Sequence, residues 1–173
     1  MPMQTQTPDI SFRALRASDL PMLREWLGRP HVAEWWGAAP DDAEVEADYA
    51  PMLADGSTER GYIALLDGAP LGYIQSYVVM GSGGGWWANE RDPGARGIDQ
   101  FLASADQLNR GLGSRMVRAF VDRLFEDPAV TKVQTDPSPR NCRAIRSYRH
   151  AGFDVQAEVT TPDGPALLMV RSR

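Results

Sequence analysis

At 173 residues, 43% of them apolar and 24% charged, the chain can fill one core and is short for two typical domains. A net charge of −5 argues against a nucleic-acid partner, which needs clustered Lys and Arg, and no apolar run reaches the ~18 residues of a membrane span. One cysteine, Cys142, rules out an internal disulfide, and two distant histidines, His31 and His150, leave too few ligands for zinc, so no metal is expected.

Residues 1–9 are rich in Gln, Thr and Pro and lack the basic start and apolar stretch of a secretion signal. They read as a loose tail before a single domain over 10–173, with a cytoplasmic location and a monomeric state expected. Ile10, Phe12 and Leu15 predict a strand over 10–16. Ser18 or Asp19 offers an N-cap, Pro21 suits a first turn, and Leu20, Leu23, Trp26 and Leu27 share one helical face. A second helix is expected over 41–54, with Asp41 and Asp42 at the positive end of its dipole. Residues 60–66 and 71–79 form a hairpin around Asp67-Gly68, and 80–97 is an irregular, Gly- and Trp-rich insertion.

A strand resumes over 97–103, followed by a helix over 111–126 with Leu112, Met116, Phe120 and Leu124 on one face. Residues 130–136 make a strand that Pro137 and Pro139 end, and a helix over 140–151 stops at Gly152. The segments 153–160 and 166–171 pair around Pro162-Asp163-Gly164. The order β-α-α-β-β-β-α-β-α-β-β describes an α+β (mixed α/β) fold, a mixed sheet with helices on its faces.

The first chemical signal is Gly111-Leu112-Gly113-Ser114, which opens a helix between Arg110 and Arg115. Glycines let the backbone approach a phosphate, and the free N–H groups of a first helical turn attract anions. Alone, such a pair of glycines is more often a plain turn. It is neither a Walker loop nor a dinucleotide fingerprint. The second signal is a helix that starts at Asn141 and carries Ala144, Tyr148 and Ala151 on one face. An ordinary amphipathic helix would look similar, although a buried tyrosine hydroxyl still needs a partner.

Both segments, in this order and separation, resemble the GNAT acetyltransferases. The resemblance implies a mostly antiparallel sheet in which two parallel strands splay apart around the pantetheine arm of acetyl-CoA, with helices on both faces. It places Gln100, Phe101 and Leu102 along the arm. Leu108, Asn109, Arg110, Gly111, Leu112, Gly113 and Ser114 fall at the pyrophosphate, and Asn141 again at the arm. Tyr148 matches the tyrosine that protonates the departing thiolate. Where relatives carry Gln or Arg three residues before the first glycine, this chain has Leu108, with Gln107 one place earlier.

Three carboxylates stand at strand ends: Asp99 in Gly97-Ile98-Asp99-Gln100, Asp136 in Thr135-Asp136-Pro137, and Asp163 in the last hairpin. Each can pair with an ammonium or take its proton. Asp163, beside Pro and Gly, also suits plain turn-making, whereas Asp99 interrupts an apolar strand where an unpaired acid is costly. With Trp35-Trp36-Gly37, Gln75-Ser76-Tyr77 and Gly81-Ser82-Gly83-Gly84-Gly85-Trp86-Trp87, these blocks resemble the aminoglycoside 6'-N-acetyltransferases. The resemblance makes Asp99 the catalytic acid-base carboxylate and gives the drug amines to Asp99, Asp136 and Asp163. It gives the sugar pocket to Trp36, Gln75, Tyr77, Ser82, Trp86 and Trp87. The chain departs from relatives at Gly84, where they place an acid, and at Phe101, where some have Leu or Ser. A loop acid of the relatives falls at Ser57 or Glu59.

The resemblance thus implies direct acetyl transfer from acetyl-CoA to a polycationic aminoglycoside in a ternary complex. Cys142 is the only thiol that could carry an acyl group, and no histidine is positioned by the motif to activate it. Two other readings are a GNAT enzyme acting on a protein N-terminus or a polyamine, and a CoA-binding module without catalysis.

Overall fold

Alternating apolar positions put seven strands into one sheet. They are β1 (Ile10–Ala14), β2 (Glu59–Leu66), β3 (Ala69–Val78), β4 (Ala95–Leu102), β5 (Lys132–Thr135), β6 (Asp154–Thr161) and β7 (Gly164–Ser172). Among the described residues there are five α-helices: α1 (Leu20–Leu27), α2 (Pro30–Trp36), α3 (Asp42–Tyr49), α4 (Leu112–Leu124) and α5 (Cys142–His150). The computed structural model describes residues 6–173, so most of the expected tail lies outside the described residues. Its visible end is tied down. The N–H of Asp9 donates to Asp67 Oδ1 and that of Asp67 to the Asp9 carbonyl, both at 2.8 Å. Arg115 donates to the carbonyl of Pro8 at 2.6 Å.

The strand order is β1-β2-β3-β4-β5-β7-β6, and every neighbouring pair is antiparallel except β4 with β5. Period-two alternation sorts side chains onto two faces. Tyr73, Phe101 and Ile63 pack under Leu23, Trp26, Val32 and Val45 of α1, α2 and α3. Ile74, Ile98 and Val133 pack on the opposite face under Phe120 and Val121 of α4 and Ile145 and Tyr148 of α5. Phe120 is fully buried between Phe12 and Tyr62, and burying a side chain of its size contributes about 1.5–3 kcal/mol.

Helix ends explain most boundaries. At α3, Asp41 accepts from the Glu44 N–H (2.9 Å) while Glu44 accepts from the Asp41 N–H (2.8 Å), a reciprocal capping box. At α5, Gly152 takes φ +95°, and the Phe153 N–H returns to the Tyr148 carbonyl at 3.0 Å.

Two expectations need correction. Asp19 does not cap α1 with its side chain. Its carboxylate instead takes both guanidinium nitrogens of Arg13 (2.7 and 2.9 Å) and the N–H of Arg16 (2.8 Å), and Arg13 holds it below the usual carboxylate range. A third helix, α2, also stands before the first hairpin, where the sequence predicts only two helices. Only Val32 of α2 is buried, so no apolar stripe announces it. Its signals are Pro30 at the first turn and Gly37 (φ +95°) at the end.

Candidate active site

The site begins where the sheet comes apart. Strand β4 pairs with β3 from Arg96 to Leu102, yet with β5 only at Ala95, Arg96 and Gly97. Beyond Gly97 the two parallel strands diverge: β4 runs on beside β3, while the chain after Gln134 stays with β7, whose Leu167 N–H donates to the Pro137 carbonyl at 2.9 Å. The stretch Ile98–Leu102 therefore presents backbone N–H and C=O groups to an open cleft, a strand edge that an extended amide chain can bond.

On one side the cleft widens into a cavity of about 310 Å³. Its walls are Trp35, Trp36, Phe101 and Leu102, and its floor is Leu108, Asn109, Gly111, Gly113 and Ser114 at the start of α4. Gly111 takes φ +77°, a left-handed backbone that glycine adopts without strain, and no side chain caps α4. Among the described residues the first-turn amides of Gly113 and Ser114 thus lack partners, and they face the cavity with the positive end of a 13-residue helix. Asn141 closes the far wall and caps α5 through the Ala144 N–H at 3.2 Å.

A second cavity, of about 500 Å³, opens from the same cleft and shares Trp35, Trp36, Gln100, Asn141 and Ala144 with the first. Four carboxylates line it, Glu59, Asp99, Asp136 and Asp163, and no Lys or Arg does among the described residues. Trp36, Trp86, Trp87 and Tyr77 supply its aromatic walls. The Trp87 indole donates to the Tyr77 hydroxyl at 3.0 Å, which fixes one tryptophan of the insertion to the sheet. At the base of that insertion, Glu90 pairs with Lys132 at 3.0 Å and Asp92 accepts from Thr131 at 2.5 Å.

Strand alternation sets the roles apart. Asp99 pairs with Gln75 in register and shares its face, and Gln75 Nε2 donates to Asp99 Oδ2 at 3.1 Å. Gln100 faces the other way and donates to the Tyr148 hydroxyl at 3.4 Å. Asp99 and Tyr148 therefore approach the cleft from opposite faces of β4. Burial raises the Asp99 carboxyl, Gln75 partly offsets this, and Glu59 and Asp163 add to the rise. Burial, then Asp99 and Asp163, push Asp136 up to about 7. Burial pushes the Tyr148 hydroxyl up to about 12, with Thr135 and Gln100 opposing, so it is a proton donor at neutral pH.

All nine residues expected at the sugar pocket line the second cavity: Trp36, Gln75, Tyr77, Ser82, Trp86, Trp87, Asp99, Asp136 and Asp163. Of those expected at the cofactor, Arg110 and Leu112 do not line the first cavity. Arg110 points to solvent, and Leu112 is buried with Leu102 and Met116 in the core. Phe101 is largely core, packed edge-on against Trp26 and Trp36, and only reaches the cavity wall. Cys142 is exposed and lines neither cavity.

Several residues that line the first cavity are not among those the sequence places at the site. Trp35 and His31 sit one turn apart on α2, and Arg143, Arg146 and His150 recur at helical spacing on α5. Of Ser57 and Glu59, only Glu59, the first residue of β2, lines the second cavity.

Residues 16–161 match the family described as "Acetyltransferase (GNAT) domain". The chain is 56% identical to the aminoglycoside N(6')-acetyltransferase type 1 of Klebsiella pneumoniae, over 95% of this chain and 83% of that protein. The crystal structure of aminoglycoside acetyltransferase AAC(6')-Ib with coenzyme A and kanamycin is 55% identical and superposes with a TM-score of 0.91, covering 95% of each chain. The structure of AAC(6')-Ib with paromomycin and acetyl-CoA is 56% identical, TM-score 0.91, covering 95% of this chain and 94% of that one. The parting of β4 from β5, the anion-ready start of α4 and the acidic aromatic cavity thus have a common origin: the chain belongs to the GNAT acetyltransferases, in the family of the aminoglycoside N(6')-acetyltransferases.

Proposed function

We propose that this protein transfers the acetyl group of acetyl-CoA to the 6'-amine of aminoglycosides, directly and within one ternary complex, and so confers resistance to them. One observation carries the reading: an acidic, aromatic cavity with Asp99 on its floor joins, through the cleft between β4 and β5, a groove built for a phosphorylated arm. Four carboxylates suit a polycation, and tryptophan faces suit both sugar rings and ammonium groups.

Acetyl-CoA is a substrate here, and the first cavity fits it. The unpartnered amides of Gly113 and Ser114 suit its pyrophosphate. The free edge of β4 at Ile98–Leu102 suits its amide-bearing arm. An amine on a sugar is largely ammonium at neutral pH and lacks the lone pair it needs. Asp99 takes that proton, directly or through one water, and the freed nitrogen attacks the thioester carbon. The carbon–sulfur bond breaks, Tyr148 gives its proton to the departing thiolate from the other face of the strand, and the new amide nitrogen sheds its second proton to water, which in turn restores the proton on Tyr148. Asp136, Asp163 and Glu59 hold other amines and so select the nitrogen that reaches Asp99. One chain supplies both cavities, so a monomer suffices.

The test is regiochemistry. Neomycin carries a 6'-amine and paromomycin a 6'-hydroxyl. Incubation with acetyl-CoA should release free CoA thiol with neomycin and none with paromomycin, which should still bind. Fragmentation spectra placing the acetyl group on the deoxystreptamine ring would overturn the 6' assignment.

A further inference from the structure

We propose that Tyr73 is a positioning residue for acetyl transfer: its hydroxyl locks the amide of Gln75 in the one orientation that presents an N–H to Asp99. This rests on Asp99 being the carboxylate that accepts the amine's proton.

The geometry is a chain of two bonds. Tyr73 Oη donates to Gln75 Oε1 at 2.7 Å, and Gln75 Nε2 donates to Asp99 Oδ2 at 3.1 Å. Tyr73 is fully buried, with Ile63, Tyr49, Trp36 and Phe101 around its ring. Its only other hydrogen-bond partner among the described residues is the sulfur of Met52, at 3.4 Å, a weak acceptor. The hydroxyl therefore spends its proton on the Gln75 carbonyl. An amide has a donor end and an acceptor end, so fixing the carbonyl toward Tyr73 turns the NH2 toward Asp99.

That orientation matters because little else near Asp99 favours its charge. Glu59 faces it from β2, Asp136 from the end of β5 and Asp163 from the β6–β7 turn, all of them acids. Tyr49 of α3, Tyr77 of β3 and Tyr148 of α5 also face it, and each is a neutral phenol. Gln75 is the one side chain among the described residues that donates a hydrogen bond to it. A Gln75 amide turned the other way would offer a carbonyl, which bonds only the protonated acid. The base would then hold its proton to higher pH.

Tyr73→Phe keeps the ring and removes the lock. The acidic limb of kcat/KM for kanamycin should move up by about one unit, so that turnover below the limb falls about tenfold, while affinity for acetyl-CoA stays unchanged. Gln75→Leu removes the donor itself and should move the limb at least as far. In the Gln75→Leu background, Tyr73→Phe should add nothing, because Tyr73 acts only through Gln75. An unmoved limb in Tyr73→Phe, or additive losses in the double variant, overturns the proposal. Thermal unfolding of both variants separates simple loss of fold from a moved limb. Asp99→Asn reports separately on the base: if that variant keeps full kcat/KM, the assignment of Asp99 fails, whatever Tyr73 does.

Discussion

The ring of Tyr77 occupies the space that a side chain at Gly97 would need: a Cβ built there would lie 2.1 Å from the ring's Cζ. Gly97 is also the last residue of β4 that pairs with β5. One glycine thus serves the end of the parallel pairing and the seat of the tyrosine that holds Trp87. Gly97→Ala should push Tyr77 off the sheet and release the Trp87 indole. Overpacking of this kind costs about 1–3 kcal/mol. Thermal unfolding should show that loss, and steady-state kinetics should show a raised KM for kanamycin with KM for acetyl-CoA nearly unchanged.

Asp136, with its pKa near 7 in the fold against an ordinary value of 3.8, makes stability fall as pH rises. Between those values the folded state holds a proton that the unfolded state has lost, so this contribution is full below about 4 and gone above about 7. The free protein should unfold at a lower temperature at pH 7.5 than at pH 5.5, and Asp136→Asn should flatten that slope. A bound polycation reverses the preference of this carboxyl and favours its charged form. Calorimetry at pH 6.5 in buffers of different ionisation enthalpy should show protons released on kanamycin binding, fewer of them in Asp136→Asn. Raised salt should weaken the wild-type binding more than that of the variant.

Tyr148 keeps its proton throughout the physiological range, since burial holds the hydroxyl near 12. Tyr148→Phe should leave acetyl-CoA binding almost intact and lower kcat by up to about 100-fold, the lower end of what a general acid contributes. A thiolate leaves without help more readily than an alkoxide does, which keeps the loss at that end. Unchanged turnover would return Tyr148 to the role of a core residue packed against Phe153.

Asp99 and Asp163 should part company in kinetics. Asp99→Asn preserves size and removes the base, so kcat/KM should fall by about 100- to 10,000-fold. Asp163 is exposed at a hairpin tip, where an ion pair is worth about 1 kcal/mol or less, and Asp163→Asn should cost correspondingly little. Equal losses in the two variants would contradict the division between chemistry and selection.

Local patterns made much of this protein legible. The apolar stripe Leu112, Met116, Phe120 of α4, the capping of α3 by Asp41 and the glycine stop after α5 all follow from contacts a few residues apart. So does the oddity of Asp99, a carboxylate in a strand of apolar neighbours. Helix α2 escaped because its single buried residue leaves no periodicity to read. Asp19, which suits an N-cap by type, bonds Arg13 instead, since a bidentate guanidinium is the stronger partner.

The sequence by itself determined the order of elements apart from α2, the residue types of the site and the family they resemble. Only the tertiary structure decided where β4 leaves β5, because periodicity describes which face a residue takes and not how far two strands stay paired. The same holds for what crosses between elements. Glu59 joins Asp99, Asp136 and Asp163 only because β2 lies beside β3 and brings it to the cavity. The bonds from Tyr73 through Gln75 to Asp99 exist only because the β3–β4 register sets Gln75 opposite Asp99, a pairing of positions 24 residues apart that no local pattern records.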